Sequence, residues 1–302
     1  MIEIKRSNKF LIKRGLWYLL GIILFYAPFA LYEKLLGKLI PNAANSPDIH
    51  SICLRIPLLY LFTGKGIQFM SVVFITVVLF FILTFFFGAF YCGRLCAAGA
   101  FTEYLSRLVP EKFKINWYNT INPIPIRYGF LAGYLITPFL AGSIACAFCN
   151  LSFLQRLMNG GFWGNFGFLG STTIVTGFLW LFVFGIFTKG GRGYCNFMCP
   201  VGAIQGIVQS ISSKFGFTFK LKLSREKCVS CGSCVKTCPM GSLQKKNGEI
   251  TYEILNCITC RQCEATCPKN AISYGIGDSG WRSGNINDSD TLTPEIRRVV
   301  NE

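Results

Sequence analysis

Cysteine is the residue through which this chain can do chemistry. Near its C-terminus Cys228, Cys231, Cys234 and Cys238 stand in the spacing C-x2-C-x2-C-x3-C, followed by Pro239. The same frame returns 29 residues later (228 to 257) as Cys257, Cys260, Cys263 and Cys267, followed by Pro268. Thiolates in such a run wrap three ligands around one iron-sulfur cluster and send the fourth to its neighbour. The pattern assigns Cys228, Cys231, Cys234 and Cys267 to one 4Fe-4S cluster, and Cys257, Cys260, Cys263 and Cys238 to a second. Each proline turns the chain away after the crossing ligand, and Gly232 is expected to relieve crowding against the first cluster. A pair of zinc sites is the alternative. It leaves the matched quartets, each closed by Pro, unexplained.

A second duplication has a different period. Tyr91-Cys92-Gly93-Arg94-Leu95-Cys96 with Gly99-Ala100 recurs 103 residues on (92 to 195) as Tyr194-Cys195-Asn196-Phe197-Met198-Cys199 with Gly202-Ala203. On a helix, residues four apart share a face, so each C-x3-C pair presents two thiols together. Brought into one place, Cys92, Cys96, Cys195 and Cys199 permit either a third cluster or two dithiol pairs. Cys53, Cys146 and Cys149 offer thiols for an outer redox site, with a disulfide or simple packing as the other reading. His50 is the single histidine, so a haem with two histidine ligands is excluded within the chain, and no C-x-x-C-H motif attaches one covalently; no haem is expected.

The elements that must position these thiols are apolar. Of 302 residues 52% are hydrophobic and 15% charged, too apolar a balance for an ordinary soluble fold. Residues 16–32, 67–90, 128–150 and 166–188 lack charged side chains and predict four spans. Lys and Arg cluster before the first span, between the second and third, and after the fourth, which predicts both termini on the cytoplasmic side of the inner membrane. The net charge of +16 is spread along these segments with no nucleic-acid module, so nucleic acid is not an expected partner. None of the predicted spans holds Asp, Glu, Lys, Arg or His, which argues against a pump.

Over about fifty residues the C-terminal segment resembles the two-cluster bacterial ferredoxins. Four spans, C-x3-C motifs after the second and fourth, and then this segment resemble the NapH/MauN family of membrane ferredoxin-type proteins. The family frame is C-x3-C-P; Cys195 to Pro200 fits it, whereas Ala97 replaces Pro in the first copy, which puts the geometry there in question. The resemblance implies a four-helix transmembrane domain of two pseudo-repeated hairpins joined to a small α+β two-cluster bacterial ferredoxin-like domain. The expected divisions are a basic N-terminus at 1–15, the four-span domain at 16–219, the ferredoxin-like domain at 220–275 and a polar tail at 276–302. It also implies electron transfer between a quinone pool or a redox partner and the 4Fe-4S clusters, as a subunit beside other iron-sulfur, haem or flavin proteins in the membrane. Such a chain is an electron carrier rather than a stand-alone enzyme. A metal-reducing maturation factor of the CcoG type is the alternative, and an iron-sulfur redox sensor ranks behind it.

Overall fold

The computed structural model describes residues 2–26, 29–39, 72–140, 149–158 and 173–281. Helices occupy it as far as Ser212, and a small α+β unit follows. Helix α1 (Ile2–Phe25) turns Arg14 and Tyr18, four residues apart, into the interior and is followed by α2 (Leu31–Leu39). Helix α3 (Val72–Phe87) is almost wholly apolar and ends where Gly88 takes φ +68, a conformation open to glycine; a Cβ there would also press on Thr259 Oγ1 at 2.8 Å. A π-turn, Tyr91–Leu95, leads into α4 (Ala97–Ser106). Then come the single turn α5 (Trp117–Thr120), α6 (Pro123–Leu140), α7 (Asn150–Arg156) and α8 (Thr173–Phe178), which continues as a π-helix over Leu179–Ile186. The short α9 (Gly193–Phe197) and the amphipathic α10 (Pro200–Ser212) repeat the π-turn and α4 of the first half.

The expected four-helix transmembrane domain is not supported: among the described residues no helix is long and apolar enough to cross a membrane. The 16 residues of α3 rise about 24 Å, short of a hydrocarbon core of about 30 Å. Helix α6 reaches 18 residues but opens on Pro123, Pro125 and Arg127, and α1 carries Lys5, Arg6, Lys9, Lys13 and Arg14. Each of the four expected spans also includes residues outside the described set. An absence of charge measures side chains, whereas Gly88 and the π-turns interrupt the backbone, and hydropathy does not register such breaks.

In the C-terminal unit β1 (Lys220–Leu223) pairs antiparallel with β4 (Ile272–Gly275), Lys220 opposite Gly275 and Leu223 opposite Ile272. Strands β2 (Leu243–Lys246) and β3 (Glu249–Tyr252) form a hairpin around Asn247 (φ 49) and Gly248 (φ 81), the two positive φ values of a type I′ turn. Two one-turn helices, α11 (Ser233–Thr237) and α12 (Gln262–Thr266), each follow a C-x2-C loop. Leu221, Leu243 and Ile272 form the core with Cys234, Cys257 and Cys263. Residues 276–281 return to this core, where the Trp281 indole N–H donates to Leu221 O at 3.0 Å.

Candidate metal centres

The 29-residue repeat is written into the backbone. Ser230 and Thr259 have φ 50 and 48, Gly232 and Arg261 have 77 and 61, and Gly241 and Asn270 have 61 and 49. These left-handed residues bend the chain at the same places in the two copies. A Cβ at Gly232 would meet no protein atom, and Arg261 fills the equivalent place in the second copy. The position therefore requires a backbone conformation rather than space within the protein. Arg261 holds that conformation while pairing with Glu264 at 2.6 Å and lying over the Tyr274 ring at 4.7 Å.

Two hollows result. One is lined by Cys228, Cys231, Cys234 and Cys267, with Leu223, Ile250 and Ile272 among its walls. The other is lined by Cys238, Cys257, Cys260 and Cys263. The fourth cysteine of each run thus crosses to the hollow of the other run, and Cys238 also packs on the core that Cys234 shares with Cys257 and Cys263. Donors reach the sulfurs: the Thr259 amide donates to Cys257 Sγ at 3.3 Å and the Ala271 amide to Cys267 Sγ at 3.2 Å. The Ser233 and Ser242 hydroxyls lie 3.5 and 3.2 Å from Cys231 and Cys238 Sγ. Burial pushes the Cys234 thiol up to about 11 and Cys257 up to about 12, so ligation there must release protons. Among the described residues no three His, Cys, Asp or Glu side chains converge on a single metal ion. The four thiols lining each hollow, with amide donors at Cys257 and Cys267, are the donor set an iron-sulfur cluster takes.

The C-x3-C motifs meet as well. Cys92, Cys96, Cys195 and Cys199 are all buried in one apolar core with Tyr26, Tyr91, Trp180 and Tyr194, and Cys238 and Cys260 of the second hollow border the same core. The pairs do not share one helix face as expected. Cys92 lies in the π-turn and Cys195 in α9, while Cys96 and Cys199 are extended N-caps of α4 and α10. Their backbone angles agree, φ −71 and ψ 98 for Cys96 against φ −82 and ψ 111 for Cys199. Ala97 therefore starts its helix as Pro200 does, and the missing proline leaves the first motif's geometry intact. At both helix starts amides face the sulfur, those of Ala98 and Gly99 at Cys96 and those of Val201 and Gly202 at Cys199. Cys149, expected at an outer site, is partly buried against this four-thiol core; Cys53, Cys146 and His50 lie outside the described residues.

Sequence reasoning missed the charged network that ties these parts together. Glu103, on α4, accepts from Arg14 at 2.7 and 2.8 Å, from Arg192 at 2.6 Å and from Arg107 at 3.1 Å. Burial alone would raise its carboxyl, but Arg14 and then Arg192 hold it down at about 2. Arg14 and Arg107 also donate to Gln262 of the C-terminal unit, and Tyr18 donates to Gly93 O. Gln209 accepts from both the Ala89 amide and Thr259 Oγ1, while Asn196 donates to Met240 O at 3.0 Å. A Cβ at Gly93 would collide with Ile258 O, so the first C-x3-C turn lies directly on the loop that carries Cys257 and Cys260. The signal available in the sequence was a lone acid, Glu103, in an otherwise uncharged helix.

Residues 227–272 match the family described as a 4Fe-4S dicluster domain, and residues 69–116 and 172–218 each match the family described as a 4Fe-4S binding domain. Among curated proteins the chain is similar to the methylamine utilization ferredoxin-type protein MauN of Methylorubrum extorquens, at 34% identity over 49% of this chain and 46% of that protein. It is likewise similar to the ferredoxin-type protein NapH of Escherichia coli, at 30% identity over 49% of this chain and 47% of that protein. The MauN protein of Paracoccus denitrificans is 32% identical over 37% of this chain and 35% of its own length. The chain spans about half the length of the curated relatives it matches. No solved structure matches it.

Proposed function

We propose that this chain, a homologue of the ferredoxin-type proteins MauN and NapH that carries two 4Fe-4S clusters, relays single electrons between a redox partner and the interior of its helical part. The observation that carries the reading is the pair of hollows, each lined by four cysteines, with Cys238 of the second packed on the core that holds Cys234 of the first and the four-thiol core bordering the second. A bound 4Fe-4S cluster supplies one-electron chemistry with little change of geometry. The chain's own residues do the rest. Cys228, Cys231, Cys234 and Cys267 hold one cluster, and Cys257, Cys260, Cys263 and Cys238 the other. Leu223, Ile250 and Ile272 keep water from the first, Met240, Leu243 and Ile258 from the second, and the Thr259 and Ala271 amides offset thiolate charge.

The crossed assignment has a direct test by electron paramagnetic resonance on protein purified and reduced without oxygen. Cys267→Ser is expected to perturb the same signal as Cys228→Ser, and Cys238→Ser the same one as Cys257→Ser. If Cys267→Ser instead groups with Cys257→Ser, the hollows do not correspond to the clusters. A protein that holds no reducible cluster would end the relay reading altogether.

A further inference from the structure

We propose that Arg127 and Arg192 are positioning residues for a single anionic iron-sulfur centre held by Cys92, Cys96, Cys195 and Cys199, and that their charges set its potential. The inference rests on the reading of the chain as a 4Fe-4S electron carrier, and adds a third station with the groups that tune it.

The argument is one of charge balance. Arg14, Arg127 and Arg192 are each no more than 3% exposed, and Glu103 is the only fully buried carboxylate among the described residues. Three guanidiniums against one carboxylate leave two positive charges without a carboxylate. Arg127 makes no ion pair among the described residues: it donates to Leu255 O at 2.9 Å and to Asn256 Oδ1 at 3.3 Å, and its Nε has no partner. Buried charge is retained only where a counter-charge lies near it. The two arginines are placed by the 103-residue repeat. A Cβ at Gly99 would meet Arg192 Nη1 at 2.6 Å and Cys195 Sγ at 3.2 Å; a Cβ at the equivalent Gly202 would meet Arg127 Nη2 at 2.6 Å. Each half of the repeat therefore leaves out a side chain where a guanidinium lies against Cys195, beside its Sγ at Gly99 and beside its carbonyl oxygen at Gly202. Arg192 also donates to Cys92 O at 3.0 Å.

Further donors await an acceptor in the same place. The Tyr26 and Tyr91 hydroxyls are buried beside Cys96 and Cys199 without a hydrogen-bond partner, Tyr26 lying near the Ala98 amide but outside hydrogen-bond geometry. Two disulfides would be neutral, leaving Arg127 without a counter-charge and Arg192 sharing the one Glu103 carboxylate with Arg14. A centre with four thiolates is negative and answers the arginines and the tyrosines together.

The test uses full-length protein prepared without oxygen. Iron per chain is expected to exceed the content of the two C-terminal clusters, and Cys92→Ser with Cys195→Ser is expected to remove that excess and one reducible signal. Arg127→Gln and Arg192→Gln are expected to move the midpoint potential of that signal to more negative values, because the reduced, more negative state loses a positive neighbour. Lysine at either position is expected to restore most of the shift. The C-terminal signals, read in the same spectra, report folding and stand or fall with the relay itself. If they are lost in the glutamine variants, the lysine variants and the wild-type iron count decide. Iron accounted for by the C-terminal clusters alone, with the four thiols recovered as disulfides, would overturn the inference, as would a third signal whose potential ignores both glutamine changes.

Discussion

Glu103 shows how one side chain can hold distant parts of a fold. Its two oxygens collect Arg14 from α1, Arg192 from the loop before α9 and Arg107 from the end of its own helix, and Arg14 and Arg107 reach the C-terminal unit through Gln262. Arg107 is 35% exposed, so water screens its share, while Arg14 and Arg192 are fully buried. Glu103→Gln keeps the volume and removes the charge, and is expected to cost about 3–5 kcal/mol, the range for breaking a buried pair. The pH dependence has a definite sign. The folded carboxyl titrates at about 2 against an ordinary 4.5, so its contribution is complete above 4.5 and is lost only as pH falls from there through about 2. Urea unfolding should therefore show a constant gap between wild type and variant from pH 8 to about 5, narrowing below 4.5. A gap that varies across the neutral range would place the effect on another group.

Among the elements, the paired helix starts at Cys96 and Cys199 make the sharpest comparison. Pro200 fixes the first residue of α10, while Ala97 does the same for α4 without a ring. Pro200→Ala is expected to cost about 0.4–1 kcal/mol through the unfolded chain while leaving iron content unchanged. Gly93→Ala acts across elements, since its Cβ would drive against Ile258 O and displace the loop carrying Cys257 and Cys260. The cluster that uses Cys257 should be depleted while the one that uses Cys228 persists, read by iron content and the two reduced signals. Both repeats, the crossed cysteine quartets and the meeting of the C-x3-C pairs were legible because cysteine spacing records ligand geometry directly. The network around Glu103 was not, because partners 89 residues apart leave no periodic trace. Nor were the ends of the apolar helices, which depend on Gly88 and on π-turns rather than on hydropathy. Nothing in the local sequence of Cys149 records that it packs on thiols 50 residues away (149 to 199), while Cys53 and Cys146, expected beside it, lie outside the described residues.

At the scale of the molecule the first hollow is the one that opens to solvent. Cys231 and Val229 are exposed at its rim, whereas Cys257, Cys260 and Cys263 of the second hollow and the four C-x3-C thiols are all buried. The rim is cationic: Lys227 and Lys269 line the first hollow, Lys236 and Lys245 are exposed near it, and no carboxylate lines it. Lys245 also donates to Ser230 O at 2.8 Å, which fixes one charge beside the loop holding Cys231. On a chain of net charge +16 this rim should steer negatively charged electron donors and acceptors to the one station that water reaches. Anionic ferricyanide is expected to oxidise the reduced protein at a rate that falls steeply with added salt, and cationic hexaammineruthenium at a rate that rises. Lys227→Glu with Lys269→Glu should slow the ferricyanide reaction by about tenfold at low ionic strength. The difference should close near 0.5 M salt, where the Debye length is only about 4 Å. Stopped-flow absorbance of the clusters reads both dependences. Equal salt dependence for the two probes would mean that electrons enter away from this rim, and the partner's charge would then have to be sought on the helical face instead.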